Sequence, residues 1–118
     1  MVSLILWSVI KIEIPFFERL VRIFLMSSIA IGSKKTITID LSDEKLALAK
    51  ELGADHTLNP KDENVLEPCL DITSGGANIA VETAGSGHAL KAAYDITRRG
   101  GATVAAGMPG PKVEIALS

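Results

Sequence analysis

The sequence predicts an α/β protein whose parallel sheet is doubly wound, with helices on both faces and all of residues 1–118 in a single domain. Two patterns favour this class: short β-branched or small apolar runs alternate with helical segments, and the loops between them are short. A chain of 118 residues also suffices for one domain with a real core. One α/β domain is therefore the expectation.

The clearest strand–helix unit lies in residues 34–55. Thr36–Ile39 is β-branched at every position, which is typical of a strand buried on both faces. Ser42 stands where a helix N-cap belongs, and Gly53 can adopt the positive φ of a C-terminal cap. We therefore predict a strand over 36–39 and a helix over Asp43–Leu52.

The preceding segment, residues 1–33, differs in amino-acid composition from the rest of the chain. Isoleucines 10, 12 and 14 alternate with charged residues, which predicts a strand that Pro15 ends. Apolar residues then recur at spacings of three and four, predicting a helix from Phe16 to Ile31. The apolar runs 2–10 and 20–31 are much shorter than the roughly 20 residues of a membrane-spanning helix, so we expect no membrane partner.

Further elements are predicted after Gly53. The strands are at 56–58, 79–82 and 103–106, with an edge strand at 113–117. One helix is capped by Asp62 and ends at Ile72, and because Pro68 lies inside it, this helix is either kinked or starts late. Another helix covers 88–97, with Arg98 and Arg99 at its C-terminal end.

Composition excludes several classes of function. A net charge of -2 gives no general attraction to nucleic acid or anionic membranes. The only cysteine, Cys69, cannot form an internal disulfide, so a reducing, cytoplasmic location is expected. The sequence also offers no Cys and His cluster for a metal.

Asp40 is the first candidate binding residue, because it follows a predicted parallel strand directly. Ligands of open α/β sheets collect at the carboxyl ends of the strands, and dinucleotide folds use an acidic residue there for the adenosine ribose. A strand-end Asp that caps a turn explains the same pattern equally well. The sequence pattern by itself favours neither ribose binding nor turn capping for Asp40.

A resemblance to a known family rests on four motifs in a fixed order. Together they resemble the coenzyme domain of zinc-type alcohol dehydrogenases, in the medium-chain dehydrogenase superfamily, over about residues 31–117. The motifs are residues 40–55, 73–78 (TSGGAN), 81–86 (VETAGS) and 99–104 (RGGATV). The resemblance implies a three-layer Rossmann-like fold, family-like over 34–118 and incomplete or altered over 1–33.

The resemblance also implies a set of cofactor-binding residues. Asp40 and Lys45 would bind the adenosine ribose, and the carboxylate of Asp40 would favour NAD over NADP. The others follow later strands, Thr83, Ala84 and Gly85 along the adenine and ribose and Ala106, Gly107 and Met108 at the nicotinamide. Without the family, Lys45 would be a solvated helix lysine and the two loops tight turns.

Two parts of the family's machinery are missing from this sequence. Counting back from Met26 puts the glycines of the phosphate loop at Phe16, Glu18 and Val21, none of which is glycine. Phe16 and Phe17 would fill the space of the phosphates, and Glu18 would repel them. The family holds its catalytic zinc with Cys and His from a separate domain, for which this sequence has no ligands, so we assign no catalytic or metal-binding residue.

Two functions remain open. The first is a partial NAD-binding domain of an alcohol dehydrogenase, with weak or absent cofactor affinity and no turnover alone, so enzymatic activity is uncertain. The alternative is a non-catalytic α/β protein that acts through contacts between copies at its C-terminal edge strand. A membrane-attached module using residues 1–31 is the least favoured reading.

Overall fold

The computed structural model describes residues 2–7, 14–61, 64–83 and 87–105. These residues form five strands and four helices. In chain order the elements are β1 (Val2–Trp7), α1 (Ile14–Ala30), β2 (Ser33–Ile39), α2 (Asp43–Leu52), β3 (His56–Leu58), α3 (Leu66–Ile72), β4 (Ala77–Glu82), α4 (Gly87–Ile96) and β5 (Thr97–Ala105).

The strands form one sheet in the order β3-β2-β1-β4-β5, and every neighbouring pair is parallel. The chain therefore starts at the centre with β1, moves outward to β3, and then crosses to the other side at β4. This is the doubly wound order, and it confirms the predicted fold class. The reversal of direction lies between β1 and β4, where Trp7 pairs with Glu82.

Two apolar cores cover the two faces of the sheet, which gives three layers. On one face Phe17, Val21 and Phe24 of α1 pack with Leu6 and Ala49. On the other face α3 and α4 pack against residues that include Ile5, Ile37 and Ile39. Because successive residues of a strand point to opposite faces, Ile5 and Leu6 of the central strand serve one core each.

The unit from β2 to α2 agrees with its sequence signals. The helix spans Asp43–Leu52, and the Ser42 hydroxyl accepts a hydrogen bond from the backbone N–H of Lys45 at 3.3 Å. Gly53 has φ 120° and its N–H donates to the Lys50 and Ala49 carbonyls. The predicted strand at 56–58 is β3.

The N-terminal prediction is corrected in two places. The strand predicted to end at Ile14 is wrong there, because Ile14 begins α1; the rest of it, residues 10–13, lies outside the described residues. Pro15 therefore does not end a strand but sits in the first turn of a helix, where its missing N–H costs nothing. The central strand comes earlier, at Val2–Trp7.

The predicted helix over 88–97 also needs correction at its end. It stops at Ile96, so Thr97, Arg98 and Arg99 belong to β5 and not to the helix or its C-terminus. The Thr97 hydroxyl donates to the Ala93 carbonyl at 2.8 Å, which satisfies a carbonyl of the last turn. The helix before Thr73 starts late, at Leu66. Asp62 and the predicted edge strand 113–117 lie outside the described residues.

Candidate functional site

The predicted site lies at the carboxyl edge of the sheet. Trp7 of the central strand pairs with Ile39 on one side and Glu82 on the other. Asp40 and Thr83 are the next residues of their strands, so they stand at the same level on either side of β1. Two strand spacings separate them, about 10 Å. This edge, at the point where the winding reverses, is where open α/β sheets bind ligands.

Asp40 is buried, with 2% of its surface exposed. Its Oδ1 accepts a hydrogen bond from the Ser42 N–H at 2.8 Å, and its own N–H donates to the Leu58 carbonyl at 3.2 Å. The carboxylate therefore closes the turn between β2 and α2. The turn-capping interpretation describes a contact that is present, while the role of Asp40 at a ribose stays a prediction.

Asn59 fixes the same turn from the neighbouring strand. Its Nδ2 donates to the Leu41 carbonyl at 3.1 Å and to Asp43 Oδ1 at 2.8 Å, and its Oδ1 accepts from the Lys61 N–H at 2.9 Å. The side chain is 6% exposed. Sequence reasoning missed this role of Asn59, because nothing in its spacing indicates partners on the preceding loop.

Lys45 lies close to the first helix. Its Nζ is 5.5 Å from the centre of the Phe17 ring, which is a cation–π distance, and the residue is 8% exposed. The alternative in which Lys45 is a solvated surface lysine is therefore wrong. Whether its ammonium group also reaches a ribose stays a prediction.

Among the other predicted cofactor residues, the structure describes Thr83, which is 8% exposed. It follows Glu82, a carboxylate only 1% exposed that the sequence reading treated simply as a strand end. The remaining five predicted residues, Ala84, Gly85, Ala106, Gly107 and Met108, lie outside the described residues.

The start of α1 differs from the predicted phosphate loop. Phe16, Glu18 and Val21 all lie within the helix, so counting back from Met26 placed the strand–helix turn too late in the chain. Residues 8–13 link β1 to α1 in the sequence, and they contain no glycine either.

The side chains of this helix serve other purposes. Phe17 is fully buried and Phe16 is 64% exposed. Glu18 forms an ion pair with Arg22 at 2.8 Å, one turn further along the helix. The first turn carries Pro15, which offers no N–H to a phosphate. The residues described here do not fit a pyrophosphate cradle.

Among the residues that the structure describes, a catalytic zinc ion also lacks a fitting set of donors. Within residues 2–7, 14–61, 64–83 and 87–105, no group of three or more His, Cys, Asp or Glu side chains is placed to hold a metal ion. Cys69 is a buried residue of α3 and belongs to the core on that face of the sheet. Over the same ranges, no helix has the length and apolar content needed to cross a membrane.

The strand order and the acidic residue after β2 define a Rossmann-like α/β domain. The sequence model of the family described as zinc-binding dehydrogenase matches residues 23–118. The chain belongs to this family of zinc-type alcohol dehydrogenases and matches its NAD-binding half.

Individual relatives agree with the family. The chain is 42% identical over 81 residues to an alcohol dehydrogenase from Geobacillus stearothermophilus, covering 69% of this chain and 24% of that protein. It is 38% identical to a sorbitol dehydrogenase from Bacillus subtilis, covering 68% and 23%. Benzyl alcohol dehydrogenase from Acinetobacter calcoaceticus superposes with a TM-score of 0.82 at 27% identity, covering 98% of this chain and 30% of that structure. The chain thus spans about a quarter of the length of the curated relatives.

Proposed function

We propose that the chain is a partial NAD-binding domain that keeps the adenosine end of the cofactor site, has lost the pyrophosphate cradle, and transfers no hydride by itself. The position of Asp40 carries the proposal. Its carboxylate lies at the carboxyl end of β2, beside the central strand, and the Ser42 N–H and the Asn59 side chain order the turn around it. A carboxylate at this point suits the two ribose hydroxyls of an adenosine.

The preference for NAD follows from charge. A solved structure from Sinorhizobium meliloti, described as a zinc-binding dehydrogenase, is bound to NADP, so at least one protein of this fold takes the phosphorylated cofactor. In this chain a 2′-phosphate would meet the carboxylate of Asp40, and two negative groups repel. Cytoplasmic location is part of the proposal, supported by a sequence whose only cysteine, Cys69, cannot form an internal disulfide.

The loss of the phosphate contacts predicts how the affinity for NADH compares with the affinity for adenosine. A complete cradle would bind NADH far more tightly than adenosine, because the pyrophosphate adds charge-assisted hydrogen bonds. A chain that recognises only the adenosine end binds both equally weakly, with dissociation constants on the order of 1 mM, about -4 kcal/mol.

Titrating the 118-residue chain with adenosine, ADP-ribose and NADH tests this, using chemical-shift changes because binding is weak. We expect similar affinities for the three ligands, loss of all three in the Asp40→Asn variant, and no change in Asp71→Asn, whose carboxylate is exposed on α3. Alcohol-dependent reduction of NAD should be undetectable. NADH binding a hundredfold or more tighter than adenosine would contradict the proposal.

A second candidate is the non-catalytic α/β protein that has lost cofactor binding entirely and acts through contacts between copies. The start of α1 favours it, because Pro15 and the buried Phe17 occupy the first turn of the helix, whose N–H groups a pyrophosphate would need. The C-terminal edge strand that would make those contacts lies outside the described residues. Absence of any shift with adenosine at millimolar concentration, together with a dimer in sedimentation, would support this candidate over the first.

A further inference from the structure

A cavity of about 590 Å³ opens at the opposite edge of the sheet from the candidate cofactor site. Its lining consists of the end of α4 and the first part of β5, namely Tyr94, Asp95, Thr97, Arg98, Arg99, Gly100, Gly101 and Thr103. Thr97 pairs with Ala77 at the amino end of β4, whereas Asp40 and Thr83 follow carboxyl ends. The two sites therefore do not overlap.

The cavity is built on an irregularity in strand pairing. After the pair Ala77–Thr97, regular pairing resumes with Ile79 opposite Ala102, so residues 98–101 loop out of the ladder. The Thr97 hydroxyl lies 2.7 Å from that of Thr103, which joins the two ends of the loop. Bulges of this kind redirect side chains and are frequent beside functional sites.

Two glycines let the loop lie close to the preceding strand. A Cβ on Gly76 would lie 2.8 Å from both the Cα and the N of Arg98. A Cβ on Gly101 would lie 2.7 Å from the Asn78 carbonyl oxygen. Backbone contact on both sides thus fixes where the two arginines leave the sheet.

The charges in the cavity are unbalanced. Asp95 is the only acidic residue of the lining, and Lys91 Nζ holds both of its carboxylate oxygens, at 2.7 and 2.6 Å. Arg98 and Arg99 form no ion pair with any described residue. The lining therefore includes two arginines, neither of which forms an ion pair with a carboxylate of the residues that the structure describes.

We propose that this cavity binds a small phosphorylated anion through Arg98 and Arg99. A guanidinium group presents several N–H donors in a planar fork that matches phosphoryl oxygens, and paired forks suit a group carrying two negative charges. The cavity volume falls in the range of small-molecule sites, so a ligand with an organic part beside its phosphoryl group has room to enter.

Inorganic pyrophosphate is the test probe, titrated calorimetrically into the 118-residue chain at low ionic strength. We expect saturable binding that weakens with added salt. Arg98→Gln and Arg99→Gln should each reduce affinity about tenfold or more, since each removes a charge-assisted contact. Arg19→Gln is the matched control. Arg19 is exposed on α1, so this substitution removes the same positive charge at a position far from the cavity lining in the sequence.

The outcomes separate this site from the cofactor site. Asp40→Asn should leave pyrophosphate binding unchanged, and Arg99→Gln should leave adenosine binding unchanged. No saturable binding, or an equal loss in the Arg19→Gln variant, would overturn the proposal. Arg98 is half-buried, so circular dichroism is used to check that the Arg98→Gln variant is folded. If that variant is unfolded, the proposal is tested with Arg99→Gln alone, because Arg99 is exposed.

Discussion

The ammonium group of Lys45 lies 5.5 Å from the centre of the Phe17 ring, and this contact joins α2 to the first turn of α1. Phe17 is fully buried, and Lys45 is 8% exposed. A lysine predicted to reach a ribose is thus held over an aromatic face, beside the position where the family's phosphate loop would lead into its helix. The first helix and the unit from β2 to α2 meet at this pair.

The contact between Lys45 and Phe17 should be measurable as coupling energy. In a double-mutant cycle with Phe17→Leu and Lys45→Met, we expect a coupling of about 0.5–2 kcal/mol in the free energy of unfolding, because desolvation strengthens cation–π contacts. Urea denaturation provides the measurement. The cycle of Phe24→Leu with Lys45→Met is the control, since Phe24 belongs to the same core and makes no such contact; equal coupling in both cycles would refute the assignment.

Two threonines of β2 should respond in opposite ways to the same substitution. The Thr36 hydroxyl donates to Asp55 Oδ2 at 3.0 Å and accepts from the Asp55 N–H at 3.1 Å, which ties the start of β2 to the start of β3. Thr38 is fully buried, and its hydroxyl makes no hydrogen bond with any described group.

Thr36→Val should therefore lower the free energy of unfolding by about 1–3 kcal/mol, since it removes two hydrogen bonds and leaves the Asp55 N–H without its acceptor. The Asp55 carboxylate keeps its hydrogen bond from the Thr36 N–H at 2.9 Å. Thr38→Val should leave it unchanged or raise it by up to about 1 kcal/mol, because a methyl group replaces an unpaired hydroxyl of the same shape. Chemical denaturation of both variants gives the comparison. A loss above about 1 kcal/mol in Thr38→Val would indicate a partner for that hydroxyl.

Alanine substitutions at Gly76 and its neighbour Gly75 test how closely the backbone of β5 approaches Gly76. Both have positive φ, 131° and 105°, so alanine is strained at either position. A Cβ at Gly75 would meet nothing within 4 Å, whereas one at Gly76 would press on the Arg98 backbone at 2.8 Å. We expect Gly76→Ala to destabilise the chain by about 1–3 kcal/mol more than Gly75→Ala, the range for forcing atoms into packed space. Equal thermal midpoints would contradict the bulge geometry.

The sequence predicted best where its signals were local. Ser42 and Gly53 bound α2 from its own ends, so its limits were predicted to the residue. Arg98 and Arg99 were misassigned because arginines favour a helix C-terminus as readily as a loop. Their place within β5 is set by the strand pairs on either side of them, Thr97 with Ala77 and Ala102 with Ile79. The strand at Val2–Trp7 was missed because the apolar pattern continues beyond it without a turn signal.

The features of the candidate site also fall into those that local sequence signals predicted and those that they did not. Asp40 could be selected because a strand end and an acidic residue are both visible along the chain. The contacts that hold its turn come from Asn59, which a further strand and helix separate from Asp40. The Phe17 partner of Lys45 is likewise distant in sequence. Such contacts arise from packing and have no periodicity to reveal them.

Asn59 should control the order of the turn that carries Asp40. Replacing its amide with a carboxylate, in Asn59→Asp, would set two negative groups against each other at the 2.8 Å contact with Asp43 and remove the donor to the Leu41 carbonyl. We expect a loss of about 2–4 kcal/mol in the free energy of unfolding, combining repulsion with an unpaired carbonyl. Adenosine affinity should fall in parallel, because the turn around Asp40 loosens.

The double variant Asn59→Asp with Asp43→Asn makes this a test of the contact itself. It restores one amide and one carboxylate at the pair, so the repulsion disappears while the Leu41 carbonyl stays without its donor. Urea denaturation should therefore show recovery of part of the loss, by about 1–2 kcal/mol, and adenosine titration a matching partial recovery. If the double variant is as unstable as the sum of the two single variants, the hydrogen bond between Asn59 and Asp43 does not hold the turn.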